Sequence, residues 1–273
     1  MARPVMPAAE AIDSLKKPLK GRRGAILGGA TAAEREAAVD PDFDYAYSDV
    51  DIFHPSMESL SINLSILLNA GAAPLEHKDL RILRKWERRG TNGWKTNSIR
   101  VVTNQKVEVN LVYKTIDKHP LRTPLEQVQS FDFSMLGVSY DLRTWERRDL
   151  GTYFWPDGQD NKYCLFEDRE EQWLNAEVGI FTGLRQADRY ARYVERGYNL
   201  DAAVTPLVQG YRTTGPHYLE QYDKELLLTG DTYLNLAQLI EDHDIDGLRQ
   251  AYKELNPHAK VESLAAALKD LKP

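Results

Sequence analysis

The sequence predicts an α+β chain: a mixed sheet flanked by helices in its first half, and helices alone in its second. Three observations lead there. The apolar run Gly24-Ala25-Ile26-Leu27 ends in Gly28-Gly29 and precedes helix-forming residues, which is a strand–turn–helix pattern. Two β-branched runs, Ser98–Thr103 and Val107–Tyr113, flank Asn104-Gln105-Lys106 and signal a hairpin. Beyond Asp168 strand signals vanish, and helical runs are punctuated by Gly183, Gly197, Gly210, Gly215-Pro216 and Gly230.

Taken in order, an amphipathic stretch from Ala8 to Leu19 leads through Lys20-Gly21-Arg22-Arg23 into the first strand. Thr31 to Val39 is predicted helical and Tyr45 to Phe53 a second strand. Met57 to Ala70 carries Leu60, Leu64, Leu67 and Leu68 at helical spacing, with Gly71 as its stop. After the hairpin, Pro124 opens a short helix to Gln129, and Phe131–Tyr140 is predicted to be a strand. The Gly-, Pro-, Asp- and Asn-rich segment from Gly151 to Asn161 marks a domain boundary. Helices are then predicted over Glu170–Arg196, Leu234–Glu241 and Leu248–Leu255. The expected domains are thus 1–150 and 151–273.

Composition narrows the classes. With 42 % apolar and 28 % charged residues over 273 positions, the chain can bury a substantial core and is neither collagen-like nor disordered. No window approaches the length of uncharged apolar sequence that a membrane span needs, and the first thirty residues lack a signal-peptide core. Cys164 is the sole cysteine, so an internal disulfide is excluded and a reducing cytoplasmic setting is expected. A net charge of −6 argues against coating nucleic acid by bulk electrostatics. The charge is uneven: between Glu76 and Lys106 nine Lys/Arg face three acids. Such a segment either holds phosphates locally or is a solvated helix face.

Five Asp-x-Asp pairs occur, and context separates them. Only in Ser48-Asp49-Val50-Asp51-Ile52-Phe53 is the pair interleaved with and followed by strand-forming residues. Positions i and i+2 of a strand share a face, so both carboxylates point one way and Val50 and Ile52 the other. Two acids held that close call for a positive partner, and hard carboxylate oxygens suit Mg²⁺ or Mn²⁺. The alternative is a strand end with two solvated aspartates. Upstream, glycines at 28 and 29 would let backbone N–H groups approach a phosphate at a helix N-terminus. Downstream, Glu108 alternates with Val107, Val109 and Leu111, and Asp132 lies between Phe131 and Phe133. Either could be a third acid of a two-cation site.

Gly28-Gly29, then Ser48-Asp49-Val50-Asp51-Ile52-Phe53, then Val107-Glu108-Val109, resemble the DNA polymerase β nucleotidyltransferase superfamily. That group includes CCA-adding enzymes, poly(A) polymerases and small antibiotic nucleotidyltransferases. The segment from Ser130 to Asp141 and the Arg/Tyr-rich run Arg189-Tyr190-Ala191-Arg192-Tyr193 are similar to blocks of phage-encoded and related uncharacterised members. The likeness spans about residues 20–200. Where CCA-type relatives follow Gly-Gly with an Arg-Asp pair, Ala30-Thr31-Ala32-Ala33 stands here. Where polymerases carry Gly-Ser, the serine hydroxyl is missing unless Thr31 supplies it.

The resemblance implies a polymerase β-like nucleotidyltransferase domain followed by a helical domain. It implies NMP transfer from a nucleoside triphosphate to a hydroxyl acceptor, with Asp49, Asp51 and Glu108 or Asp132 holding Mg²⁺ or Mn²⁺. Gly28, Gly29, Thr31 and Ser48 would bind the nucleotide, joined by Arg189 and Arg192 unless these pair with Asp188 or Glu195. If the protein is phage-encoded, the compartment would be the host cytoplasm. RNA is favoured as acceptor by the segment from Lys85-Trp86 to Trp94-Lys95, which could stack on bases or simply anchor a loop. A non-catalytic nucleotide-binding or interaction module, and an enzyme joining nucleotides to each other, are the competing expectations.

Other chemistries lack their signatures. The six histidines are scattered with no His-x-x-x-His pair, so zinc is not expected. No P-loop or serine-hydrolase elbow is present. Asp242-His243-Asp244-Ile245-Asp246-Gly247 begins like a calcium loop but has Lys253 where a Glu ligand is needed, and reads as a helix cap.

Overall fold

The computed structural model describes residues 6–41, 46–75, 88–89, 94–116, 119–128, 131, 133–150, 180–201, 203–205, 207–209, 211–212 and 230–255. The chain divides into two compact units, Met1–Phe166 and Glu167–Pro273. Asp132, Cys164, the segment 151–161 and Lys85-Trp86 lie outside the described residues.

The first unit contains helices α1 (Ala8–Ser14), α2 (Lys16–Leu19), α3 (Gly29–Val39), α4 (Met57–Asn69) and α5 (Pro124–Val128). Its strands are β1 (Ala25–Leu27), β2 (Val50–Phe53), β3 (Ala73–Pro74), β4 (Arg88–Arg89), β5 (Trp94–Val102), β6 (Glu108–Ile116), β7 (His119–Pro120), β8 (Val138–Asp141) and β9 (Arg147–Asp149). All nine belong to one mixed sheet with the order β3-β5-β6-β2-β1-β8-β9, β4 pairing with β5 and β7 with β6. β2 runs parallel to β6 (Asp51 opposite Asn110) and antiparallel to β1 (Leu27 opposite Asp51).

Alternation along the strands sorts residues onto two faces. Ile26, Val50, Ile52, Val109, Leu111 and Val101 are wholly buried and join a cluster with Ala11 and Ile12 of α1, Leu15 just after it, Ala30 and Ala33 of α3, and Leu60, Leu64 and Leu67 of α4. The small residues of α3 let that helix lie close on the sheet. Leu27, Asp51, Phe53, Asn110 and Val112 occupy the opposite face.

Helix α4 has signals at both ends. The Ser56 hydroxyl accepts from the Ser59 N–H at 3.1 Å, a capping pair. At the other end Gly71 takes φ +93°; its N–H reaches the Leu68 carbonyl and that of Ala72 reaches Leu67, a Schellman arrangement.

Two sequence expectations are revised. The predicted strand over Phe131–Tyr140 is a short 3-10 helix over Ser134–Gly137 before β8 begins. Met135 and Leu136 are consecutive and both buried, a demand that a helical turn meets and a flat strand does not. The second strand begins at Val50 instead of Tyr45.

In the second unit the helices are Ile180–Glu195, Gly230–Glu241 and Ile245–Leu255. The last starts before the predicted Leu248, with the Asp244 carboxylate accepting from the Gly247 N–H at 2.9 Å. Among the described residues no helix is long and apolar enough to cross a membrane.

His54, just beyond β2, is completely buried and its partners fix its tautomer. The Val112 carbonyl can only accept, so Nδ1 carries the proton at 3.1 Å. Nε2 then accepts from Asn63 Nδ2 at 3.0 Å, and the same amide also donates to the Arg23 carbonyl. Burial pushes the imidazole down to about 4. The unfolded chain therefore takes up a proton near pH 6.5 that the folded one refuses until about 4. This stabilisation, roughly 3 kcal/mol at most, is full above pH 6.5 and is lost as pH falls towards 4. The gap in melting temperature between wild type and His54→Gln is expected to narrow across that window; a constant gap would contradict the neutral ring.

Candidate active site

Asp49 and Asp51 come together where the start of β2 meets the end of β1. Asp49 immediately precedes the strand and is 9 % exposed; Asp51 is its second residue and half-buried. The exposed Ser48 hydroxyl donates to Asp49 Oδ1 at 2.8 Å, so its role is to orient that carboxylate. Arg100 of β5 sits with Nε 3.7 Å from Asp49 Oδ2, exposed enough that the pair contributes little to stability.

The sequence reading missed Asn110. It lies beside Asp51 across the parallel β2–β6 pair, and its Nδ2 donates to Asp51 Oδ1 at 2.7 Å. Its Oδ1 is buried with no hydrogen-bond partner, a costly state for an amide oxygen unless something positive meets it. The available signal was its place two residues after Glu108 on an alternating strand, which puts it on the same face as the acids. Lys114, further along that face, holds its ammonium 5.6 Å from the Phe53 ring centroid and 5.5 Å from that of Phe131.

Asp51 feels this environment strongly. Burial and then the charge of Asp49 push its carboxyl up to about 7, against the pull of Asn110, Lys114 and Arg100. Among the described residues no basic side chain bridges the two carboxylates.

Gly28 closes the site from β1. It has φ +98° and ψ −144°, and a Cβ placed there would stand 3.2 Å from Asp51 Oδ2. Only glycine combines that backbone with that approach. Gly29 opens α3, whose N-terminus has no side-chain cap, leaving first-turn N–H groups for an anion beside the aspartates. Thr31 cannot serve that anion: it is wholly buried and its hydroxyl faces the carbonyls of Gly28 (2.9 Å) and Val138 (2.8 Å). It ties α3 to the start of β8.

Glu108 is exposed at the first position of β6, on the face shared by Asn110. Among the described residues no three His, Cys, Asp or Glu side chains group closely enough to hold a metal. Asp132, the other candidate third acid, is outside those residues. In the second unit, the Arg192 guanidinium pairs with the buried Asp188 one turn earlier, and Arg249 binds the same carboxylate. The helix-pairing reading therefore holds for Arg192. Arg189 lies on the same helix.

Asp49 and Asp51 offer hard oxygen donors of the kind that suit a divalent cation, whose charge would relieve the raised Asp51, and Asn110 holds the Asp51 carboxylate in place. Asn110→Ala is expected to weaken Mn²⁺ binding about 10–100-fold, as loss of a supporting group does; titration calorimetry would check this.

No family model and no curated protein matches this chain. Among solved structures, one from H. pylori described as a "putative nucleotidyltransferase" is similar at 12 % identity and a TM-score of 0.28, covering 93 % of this chain and 97 % of that one. A score of that size does not establish a shared fold, and the functional reading rests on the site itself.

Proposed function

We propose that the protein is a metal-dependent nucleotidyltransferase that moves NMP from a nucleoside triphosphate to a hydroxyl acceptor. The supporting observation is the approach of Gly28, at the uncapped N-terminus of α3, to Asp51 of the Asp49/Asp51 pair. Phosphate donors and cation ligands thus meet at one point. The acceptor oxygen bonds to the α-phosphorus as the bond to pyrophosphate breaks. Asp49 and Asp51 would hold Mg²⁺ or Mn²⁺, whose charge neutralises the phosphates and acidifies the acceptor hydroxyl.

The chain's own residues position the reaction. First-turn N–H groups of α3 orient the triphosphate, and Arg100 adds positive charge near Asp49. Ser48 and Asn110 fix the two carboxylates in place. Glu108 or Asp132 would complete the acid set. RNA is the favoured acceptor because of the basic segment between Glu76 and Lys106.

A second reading, a nucleotide-binding module without catalysis, is favoured by one observation: no third carboxylate groups with the pair among the described residues. Pyrophosphate release from each NTP, with Mg²⁺ or Mn²⁺ and with or without total RNA, separates the two. Metal-dependent release that disappears in Asp49→Ala/Asp51→Ala supports the enzyme, and a requirement for RNA identifies the acceptor class. Release without any added acceptor points to nucleotides joined to each other. Nucleotide binding with no release supports the module.

A further inference from the structure

At the opposite end of β1 and β2 from the aspartates lies a cleft of about 320 Å³ lined by four arginines: Arg22, Arg23, Arg122 and Arg143. All four are exposed, and among the described residues no carboxylate pairs with any of their guanidinium groups. Asp141 is the one acid lining the cleft, and its Oδ1 accepts from the Arg143 N–H at 2.7 Å. The nearby Glu126 carboxylate is taken up by the backbone N–H groups of Arg122 and Thr123 in the cleft wall. In a chain of net charge −6, this concentration of positive charge is local and strong.

The backbone beneath each arginine is fixed. Gly21 N–H donates to the Leu142 carbonyl and Leu142 N–H to that of Gly24, clamping the loop that carries Arg22 and Arg23. Asn63 holds the Arg23 carbonyl from the His54 network. Arg143 is set by its bond to Asp141, and Arg122 by Glu126 and by the Leu121 N–H bonded to Lys114. Four arginines carried on a fixed backbone around one cleft can bring their guanidinium groups to an anion with several closely spaced acceptor oxygens.

The geometry points to a second ligand site, separate from the aspartates, for a compact oligophosphate: an anion carrying two or more adjacent phosphoryl groups. Four arginines against one aspartate match the charge of such a group. The confined cleft, with Phe53 and Leu121 in its wall, suits a small ligand better than an extended nucleic-acid backbone. The phosphates could belong to free tripolyphosphate or to a nucleotide, and both present the same chemistry.

Binding measured by calorimetry in EDTA excludes the cation-dependent site, because the bare aspartates repel phosphate. It also makes the result independent of whether the protein transfers nucleotides. Tripolyphosphate and ATP would be titrated into wild type, Arg23→Gln/Arg143→Gln and, as a charge control, Arg148→Gln, with a 20-nucleotide single strand as a further arm. Saturable binding is expected, weakened about a hundredfold in the double variant and unchanged in Arg148→Gln, since each lost charged contact is worth about tenfold. Equal affinity for both anions would assign recognition to the phosphates alone. Tighter ATP binding would make the source a nucleotide. Absence of binding, equal binding by the double variant, or arginine-dependent binding of the single strand only, would each overturn the proposal.

Discussion

Asp51→Asn is expected to abolish pyrophosphate release while raising the melting temperature of the metal-free protein. The loss should be about 10³-fold or more, which corresponds to roughly 4 kcal/mol of transition-state stabilisation. The gain follows from the raised carboxyl of Asp51. Its folded value, about 7, lies above that of the unfolded chain, so the protonated form is favoured on folding. That stabilisation is complete below the unfolded value near 4 and is lost as pH rises through 7. Asparagine keeps an acceptor for Asn110 and removes the charge facing Asp49, so its advantage should grow from pH 4 to pH 7. The trend is opposite in sign to that of His54, and melting curves across this range with both variants separate them. Undiminished release by the Asn variant would remove Asp51 from the chemistry.

Gly28→Ala should damage both fold and site. Its backbone conformation costs a residue with a Cβ about 1–3 kcal/mol. The added methyl also meets Asp51 Oδ2, and either the carboxylate or the first turn of α3 must move. Displacements near 1 Å in such sites cost about 10²-fold in rate. Pyrophosphate release should therefore drop by at least that factor, with a melting temperature several degrees lower. A variant that is destabilised yet fully active would show that the turn serves the fold alone.

The parts of this picture legible in the sequence are those encoded by near neighbours. The Gly28-Gly29 turn, the Asp49/Asp51 pair on one face of a strand, the β5–β6 hairpin and the Gly71 stop of α4 all follow from short local patterns. What escaped depends on partners far along the chain. Asn110 gains its meaning only from the register of β6 against β2, and the closeness of Gly28 to Asp51 only from β1 pairing with β2. β9, Arg147-Arg148-Asp149, is an edge strand without an apolar residue, so alternation gives it no signal. Thr31 was misjudged because burial of a hydroxyl against the Val138 carbonyl is invisible locally. The four-arginine cleft is likewise assembled from three separate stretches of chain.

The position of β1 also governs how the protein comes into being. It precedes both of its neighbours in the chain, yet it ends in the interior of the sheet, with Ile26 paired to Ile52 on one side and Tyr140 on the other. Until Val138–Asp141 leaves the ribosome, the outer edge of Ala25–Leu27 offers open hydrogen-bonding groups to any passing strand. Sequence-distant pairings of this kind slow folding to the millisecond-to-second range. A chain stopped before β8 would leave that edge exposed to misassembly, so the later strand acts as the lock on β1.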